Sequence, residues 1–232
     1  MADSSPEPLV ISYQIEQIYV ELARAAAEMG VYKLYKNPVE PDKINEENNI
    51  RFAAVAISVV FAYSAIEASI NAQLHMIFSQ IQNLTEEERS AGFNYKFRDE
   101  KYRDGFKDEA SWEKLCWSDM KNKLKALASA LNIPPLHEKD GTLWQEILDI
   151  SEDIRNFIIH PDPRSKEFQD KMQKIMEKHV AGVYAELASK TIRYFIEARG
   201  ITSPEWLSKN LLFRFLNSND IAHAWNGGAS SK

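Results

Sequence analysis

In the second half of the chain the sequence reads Arg155-Asn156-Phe157-Ile158-Ile159-His160, followed by Pro161. A guanidinium that is always charged and an imidazole that titrates near neutral pH, placed on one segment, can together stabilise developing negative charge and move a proton. The residue before a proline is steered out of the α region, so His160 is expected to be the last residue of a helix. There the negative end of the helix dipole favours the imidazolium and raises its pKa toward physiological pH, while the terminal position leaves the ring open to a substrate. A second chemically loaded position lies upstream. Glu67 is the only Asp, Glu, Lys or Arg between Arg51 and Glu86, within FAYSAIEASINAQL. A carboxylate in so apolar a run must be paired, protonated or put to use, because burying it alone is costly. Asn71 follows one turn later on the same face and can share whatever Glu67 binds.

The elements that must position these residues read as helices. Apolar residues at helical spacing mark a first helix over 12–36, stopped by Pro38 and Pro41, and a long second one over 46–82 that is apolar on nearly every face and therefore central and buried. Thr85 with Glu88 forms a capping box, and 93–110 lacks a clean period and reads as irregular. Ser111 is expected to cap a helix reaching Leu131 ahead of Pro134 and Pro135, and Thr142 with Gln145 to cap the next, which runs to His160. A helix over about 166–199 ends at Gly200, and Ser203-Pro204 opens a last one to about Leu216. At about 100° per residue, Leu143, Ile147, Ile150, Ile154 and Phe157 form a core stripe on the helix that runs to His160. Trp144, Leu148, Arg155 and Ile159 form a second stripe, with Asp149, Asp153, Asn156 and His160 opposite. Arg155 thus falls in an apolar sector and needs an acceptor, for which the bidentate carboxylate of Glu67 is suited. The expected architecture is an all-α bundle of about six to seven helices, one domain over 12–217 between flexible tails at 1–11 and 218–232.

Composition narrows the function. With 232 residues, 44% hydrophobic and 27% charged, there is material for one sizeable core; 8 Gly and 9 Pro leave too few turns for a many-stranded sandwich or barrel. A single cysteine, Cys116, can build neither an internal disulfide nor a zinc site, and reads as a small buried hydrophobe in a cytoplasmic chain. The N-terminus has no secretory pattern, and the longest uncharged apolar run, Phe52 to Ile66, falls short of the roughly 20 residues that span a bilayer. Neither GxGxxG, GxxxxGK[ST], HExxH, Glu-x-x-His nor GxSxG occurs, which leaves acid–base or electrostatic chemistry with no metal and no cofactor expected. The net charge of −6 excludes a general nucleic-acid sleeve. The bias is local: residues 1–50 are acidic by 9 to 4, whereas 96–125 carry 9 bases against 7 acids. That mildly basic segment, with Lys121 and Lys125 and with Arg164 and Lys166 farther on, is the candidate polyanion-facing side.

The Arg155-Asn156-x3-His160 pattern near a helix end, with Pro after the His and SAIEASIN on a preceding long helix, resembles the signature of the HEPN superfamily. The likeness spans about 46–200 in helix order, with specific residues only at 63–71 and 150–162. It implies a metal-independent endoribonuclease, acting as a homodimer with a composite site, and a toxin or antiviral-defence effector by role. Carried onto this chain, His160 would be the general acid or base at the ribose 2′-hydroxyl, and Arg155 would stabilise charge on the phosphoryl group. Asn156 would orient the phosphate or the His, and Glu67 would position Arg155, with Asn71 beside it. RNA, tRNA among the candidates, and an antitoxin or regulatory protein are the implied partners. Members silenced by a nucleotidyltransferase carry Tyr two residues after the His; here that residue is Asp162, which argues against that regulation. The alternative is a catalytically silent bundle of the same type, serving dimerisation, regulation or partner binding; a helical adaptor unrelated to HEPN is a third reading, favoured if Glu67 and Arg155 lie apart.

Overall fold

The computed structural model describes residues 15–27, 44–85, 87–88, 96–159, 170 and 183–207, with side chains at 44–51 and 151–153 excepted. Among these residues every regular element is helical and none is a strand. Residues 15–27 form α1, Ile44–Gln82 α2, Glu109–Cys116 α3, Met120–Ala130 α4, Leu136–Lys139 the single turn α5, Gly141–Leu148 α6, Arg155–Ile159 α7 and Val183–Glu197 α8. A 3-10 helix spans Glu100–Phe106, inside the segment expected to be irregular, and another spans Glu205–Leu207, where a longer helix was expected to begin. Arg164, Lys166, His160 and both expected tails lie outside the described residues.

The 39-residue α2, roughly 60 Å long at 1.5 Å per residue, is the axis of the bundle. Val55, Val59, Ala62, Ala65, Ile66, Ile70, Leu74 and Ile77 on it are all but fully buried. α8 packs most extensively against it through Ala185, Ala188, Ile192 and Phe195, and α4 and α7 pack beside it. The stretch Phe52–Gln82 is long and apolar enough to cross a membrane by length and composition, and half of its most apolar window is buried inside this fold. Some of the polar groups it buries are engaged within the bundle: Ser58 donates to Ala23 O at 2.9 Å and Gln73 Nε2 to Ser69 Oγ at 3.3 Å.

α1 turns small and acidic residues inward and leaves two isoleucines outward. Val20, Ala23, Ala26 and Ala27 are buried together with Glu16 and Glu21, while Ile15 and Ile18 are 40% and 48% exposed. The small alanines let the α1 backbone close onto α2 where Ser58 reaches Ala23. Arg24 fastens the other side, donating to Trp206 O, Leu207 O and Ser189 Oγ at 2.7, 2.9 and 3.0 Å, so one guanidinium ties α1 to α8 and to the turn that follows it.

Aspartates cap three of the helices. Asp108, Asp119 and Asp140 accept from the amides of Ser111, Asn122 and Leu143 at 2.8, 2.7 and 2.9 Å. Ser111 and Thr142 were the expected caps of single helices. A carboxylate meets the positive helix end with charge as well as a lone pair, so where Asp and a hydroxyl compete in neighbouring positions the Asp prevails. The Ser111 amide and hydroxyl accordingly hold the Asp108 carboxyl below the usual carboxylate range. Asp119 also divides the expected 111–131 helix in two, with Trp117 and Ser118 in the turn between α3 and α4. α4 ends on Asn132 at φ 55°, where Ile133 N–H reaches Ala128 O and Asn132 N–H reaches Ser129 O, a Schellman closure. α8 ends as expected at Gly200, φ 72°, and the Thr85–Glu88 box forms reciprocally at 2.8 and 3.2 Å.

Tyr184 on α8 is 3% exposed, and burial pushes its phenol up to about 12. Its folded pKa lies above the unfolded value, so its contribution is intact below pH 10 and lost as pH rises through about 12. Alkaline titration is expected to remove about 2 kcal/mol of stability over that window, and Tyr184→Phe should abolish this component in urea melts collected across the window.

Candidate active site

From Gly141 the chain runs helically to Ile159, but not as one α-helix. Asp149–Ile154 is π-helical, and the Arg155 N–H donates to Ile150 O, five residues back. A π segment inserts a residue into the turn and slips the helical phase by about 100°. Leu143, Ile147 and Ile150 are buried as the wheel predicts; Ile154 and Phe157 of the same stripe stay packed on the core, more loosely, where Ile158 joins them, and Ile159 is 42% exposed.

The expected Glu67–Arg155 pair does not form, because a nearer cation takes the carboxylate. Glu67 Oε1 instead accepts from Lys123 Nζ of α4 at 2.9 Å. Lys123 is 2% exposed and belongs to the buried stripe of α4 with Met120, Leu124 and Leu127, while the Glu67 side chain keeps 35% of its surface in solvent. Arg155 lies over Tyr63, its Cζ 4.7 Å from the ring centroid, one helical turn before Glu67 on α2. Its Nη1 makes a long contact of 3.4 Å with Asn156 Oδ1, the one hydrogen bond of this guanidinium among the described residues. Arg155 therefore meets a π face rather than a carboxylate, and it is half-buried there. Burial, with Glu67 next in effect, raises the Tyr63 phenol, against the opposing pull of Arg155; Asp119 adds to the rise. Tyr63 is thus a neutral O–H donor at physiological pH. Asn71 is half-buried, and its Oδ1 has no hydrogen-bond partner among the described residues; it does not join the Glu67 pair.

Cys116 is half-buried at the end of α3, and burial pushes its thiol up despite the nearby Lys123 ammonium, which is the reverse of nucleophile activation. Lys121 is exposed, and Lys125 Nζ stands 5.7 Å from the Trp144 ring centroid. Among the described residues no group of three or more His, Cys, Asp or Glu side chains could hold a metal ion. The structure thus brings Tyr63, Glu67, Lys123 and Arg155 together on one edge of α2, with Asn156 exposed at its rim.

Lys123 and Tyr63 were not singled out by the sequence reading. The signal for Lys123 was present: it stands three residues after Met120 and four before Leu127, inside an apolar stripe, but within a run of alternating charges it read as surface. Comparisons of the chain with protein-family models, with curated proteins and with solved structures find no match.

Proposed function

We propose that this chain is a metal-independent endoribonuclease of HEPN type, cleaving RNA by attack of the 2′-hydroxyl on the adjacent phosphodiester. The observation that carries the reading is Arg155: a half-buried guanidinium on the Tyr63 ring, making no ion pair among the described residues, on the helix Arg155–Ile159 that precedes His160 in the sequence. An arginine so placed matches the planar oxygens of a phosphate. In this reading His160 shuttles the proton, Arg155 stabilises the phosphoryl charge and Asn156 orients the phosphate. Glu67 acts at one remove, holding with Lys123 the face of α2 on which Tyr63 carries Arg155. Action as a homodimer, a cytoplasmic setting and a toxin or defence role belong to the same proposal. The test is incubation of the purified protein with total tRNA in EDTA beside His160→Ala. Cleavage by the unsubstituted protein alone, leaving 2′,3′-cyclic phosphate ends, is the expected result; equal cleavage by both would remove His160 from the chemistry.

The engagement of Glu67 by Lys123 favours the non-catalytic readings, the silent bundle and the helical adaptor unrelated to HEPN, because it leaves Arg155 without the carboxylate that was to position it. Both require the two proteins to leave tRNA intact, and the silent bundle also requires Arg155 or His160 substitutions to alter assembly.

A further inference from the structure

The turn between α3 and α4 holds a tryptophan in an unusual setting. Trp117 is 88% exposed, whereas Trp112 and Trp206 are 7% exposed. Its backbone is nonetheless fixed: the Trp117 N–H donates to Glu113 O at 3.0 Å, the Ser118 hydroxyl to Leu115 O at 2.8 Å, and Asp119 caps α4 directly afterwards. A rigid turn that offers a whole indole to water forgoes the burial that usually recommends Trp, so its large flat surface is available to a ligand.

The turn borders the candidate site. Asp119, directly after the turn, accepts from the Lys123 amide at 3.1 Å and feels Tyr63, and Cys116, directly before it, feels the Lys123 ammonium, so the turn adjoins the residues of the Glu67–Lys123 and Tyr63–Arg155 contacts. Exposed Lys114 and Lys121 stand three residues before and four after it, inside the basic-leaning 96–125 segment. An open aromatic plane flanked by lysines beside a phosphate-matching arginine is the arrangement by which single-stranded nucleic acid is held, bases on rings and backbone on cations.

We infer that Trp117 is a stacking platform for an unpaired nucleobase of single-stranded RNA, next to the phosphate engaged by Arg155. This rests on the RNA reading above and adds to it a substrate class: RNA that is unpaired at or beside the cleaved bond.

The test is binding rather than cleavage. A short 2′-O-methyl oligonucleotide, which cannot be cut through its 2′ oxygen, is titrated by fluorescence anisotropy against the unsubstituted protein, Trp117→Ala and Trp117→Phe, and against the same backbone carrying abasic positions. Trp117→Ala is expected to weaken binding about tenfold, as loss of one stacked base does. Trp117→Phe should restore most of it, and the abasic strand should bind all three proteins alike. Equal affinity of Trp117→Ala and unsubstituted protein for the intact strand overturns the inference and leaves the RNA reading standing, as does an equal loss on the abasic strand. Absence of binding by the unsubstituted protein removes the RNA reading and this inference with it. A shift in oligomeric state of Trp117→Ala by light scattering, with RNA affinity unchanged, would assign the indole to a protein contact instead. Because the ring is in solvent, all variants should melt with the unsubstituted protein.

Discussion

Glu67→Ala is expected to destabilise the fold by about 3 kcal/mol, whereas Lys123→Met should cost no more than about 1 kcal/mol. The asymmetry follows from where the two charges sit. Lys123 is 2% exposed, so removing the carboxylate that accepts from it leaves an ammonium inside the bundle with little water to replace the acceptor. Glu67 keeps 35% of its side chain in solvent, so removing the lysine leaves a carboxylate that can hydrate, and methionine fills the vacated space along α4. The double variant should be more stable than Glu67→Ala alone, because it removes the orphaned charge along with its partner. Urea melts of the three proteins check the order. Equal costs for the two single variants, or a greater cost for Lys123→Met, would show that the pair is as hydrated at one end as at the other. The exchange Glu67→Arg with Arg155→Glu should be no better folded than either single change, since Arg155 rests on Tyr63 and not on Glu67.

Those two residues also show why part of the site was legible and part was not. That Glu67 is charged inside an apolar helix follows from α2 alone, and so does the demand for a cation. Which cation answers depends on the phase of two other helices. Arg155 sits just after a π segment that nothing in DISEDI announces, and though Ile154 and Phe157 beside it keep to the core, its guanidinium settles on the Tyr63 ring rather than on Glu67. Lys123 sits in α4, whose start was misjudged because Ser111 looks like a cap and Asp119 was counted as surface charge. With α4 begun at Met120, Lys123 falls in the buried stripe. Glu16 and Glu21 show the same dependence: the acidic balance of 1–50 does not say which charges turn inward, and both are buried on α1. Signals confined to a few neighbouring residues were readable: the Thr85–Glu88 box, the Gly200 stop and the all-helical class. Those that depend on how one helix is rotated against another were not. His160, the remaining member of the motif, lies outside the described residues.

Arg155→Ala is expected to lower the RNA cleavage rate by about 10²- to 10³-fold at saturating substrate, the cost of losing one preorganised group that meets transition-state charge. Its effect on folding should be small, because the guanidinium lies at the half-buried rim of α2 and makes no ion pair among the described residues. Arg155→Lys tests whether charge alone suffices. A lysine keeps the charge but loses the planar fork and the flat stacking face, so it should recover only a minor part of the rate. Tyr63 separates placement from charge. Tyr63→Phe keeps the ring beneath the guanidinium and should retain most activity, whereas Tyr63→Leu removes the platform and should cost about tenfold, in keeping with a cation–π contact of roughly 1 kcal/mol or somewhat more. If the order is Phe above Leu above Arg155→Ala, the ring acts by holding the arginine. If Tyr63→Phe falls as far as Tyr63→Leu, the phenol itself reaches the substrate, a role its raised pKa permits because the hydroxyl keeps its proton throughout the neutral range. If Arg155→Ala cuts as fast as the unsubstituted protein, the guanidinium is a surface ornament of α2, and the silent-bundle reading takes the weight.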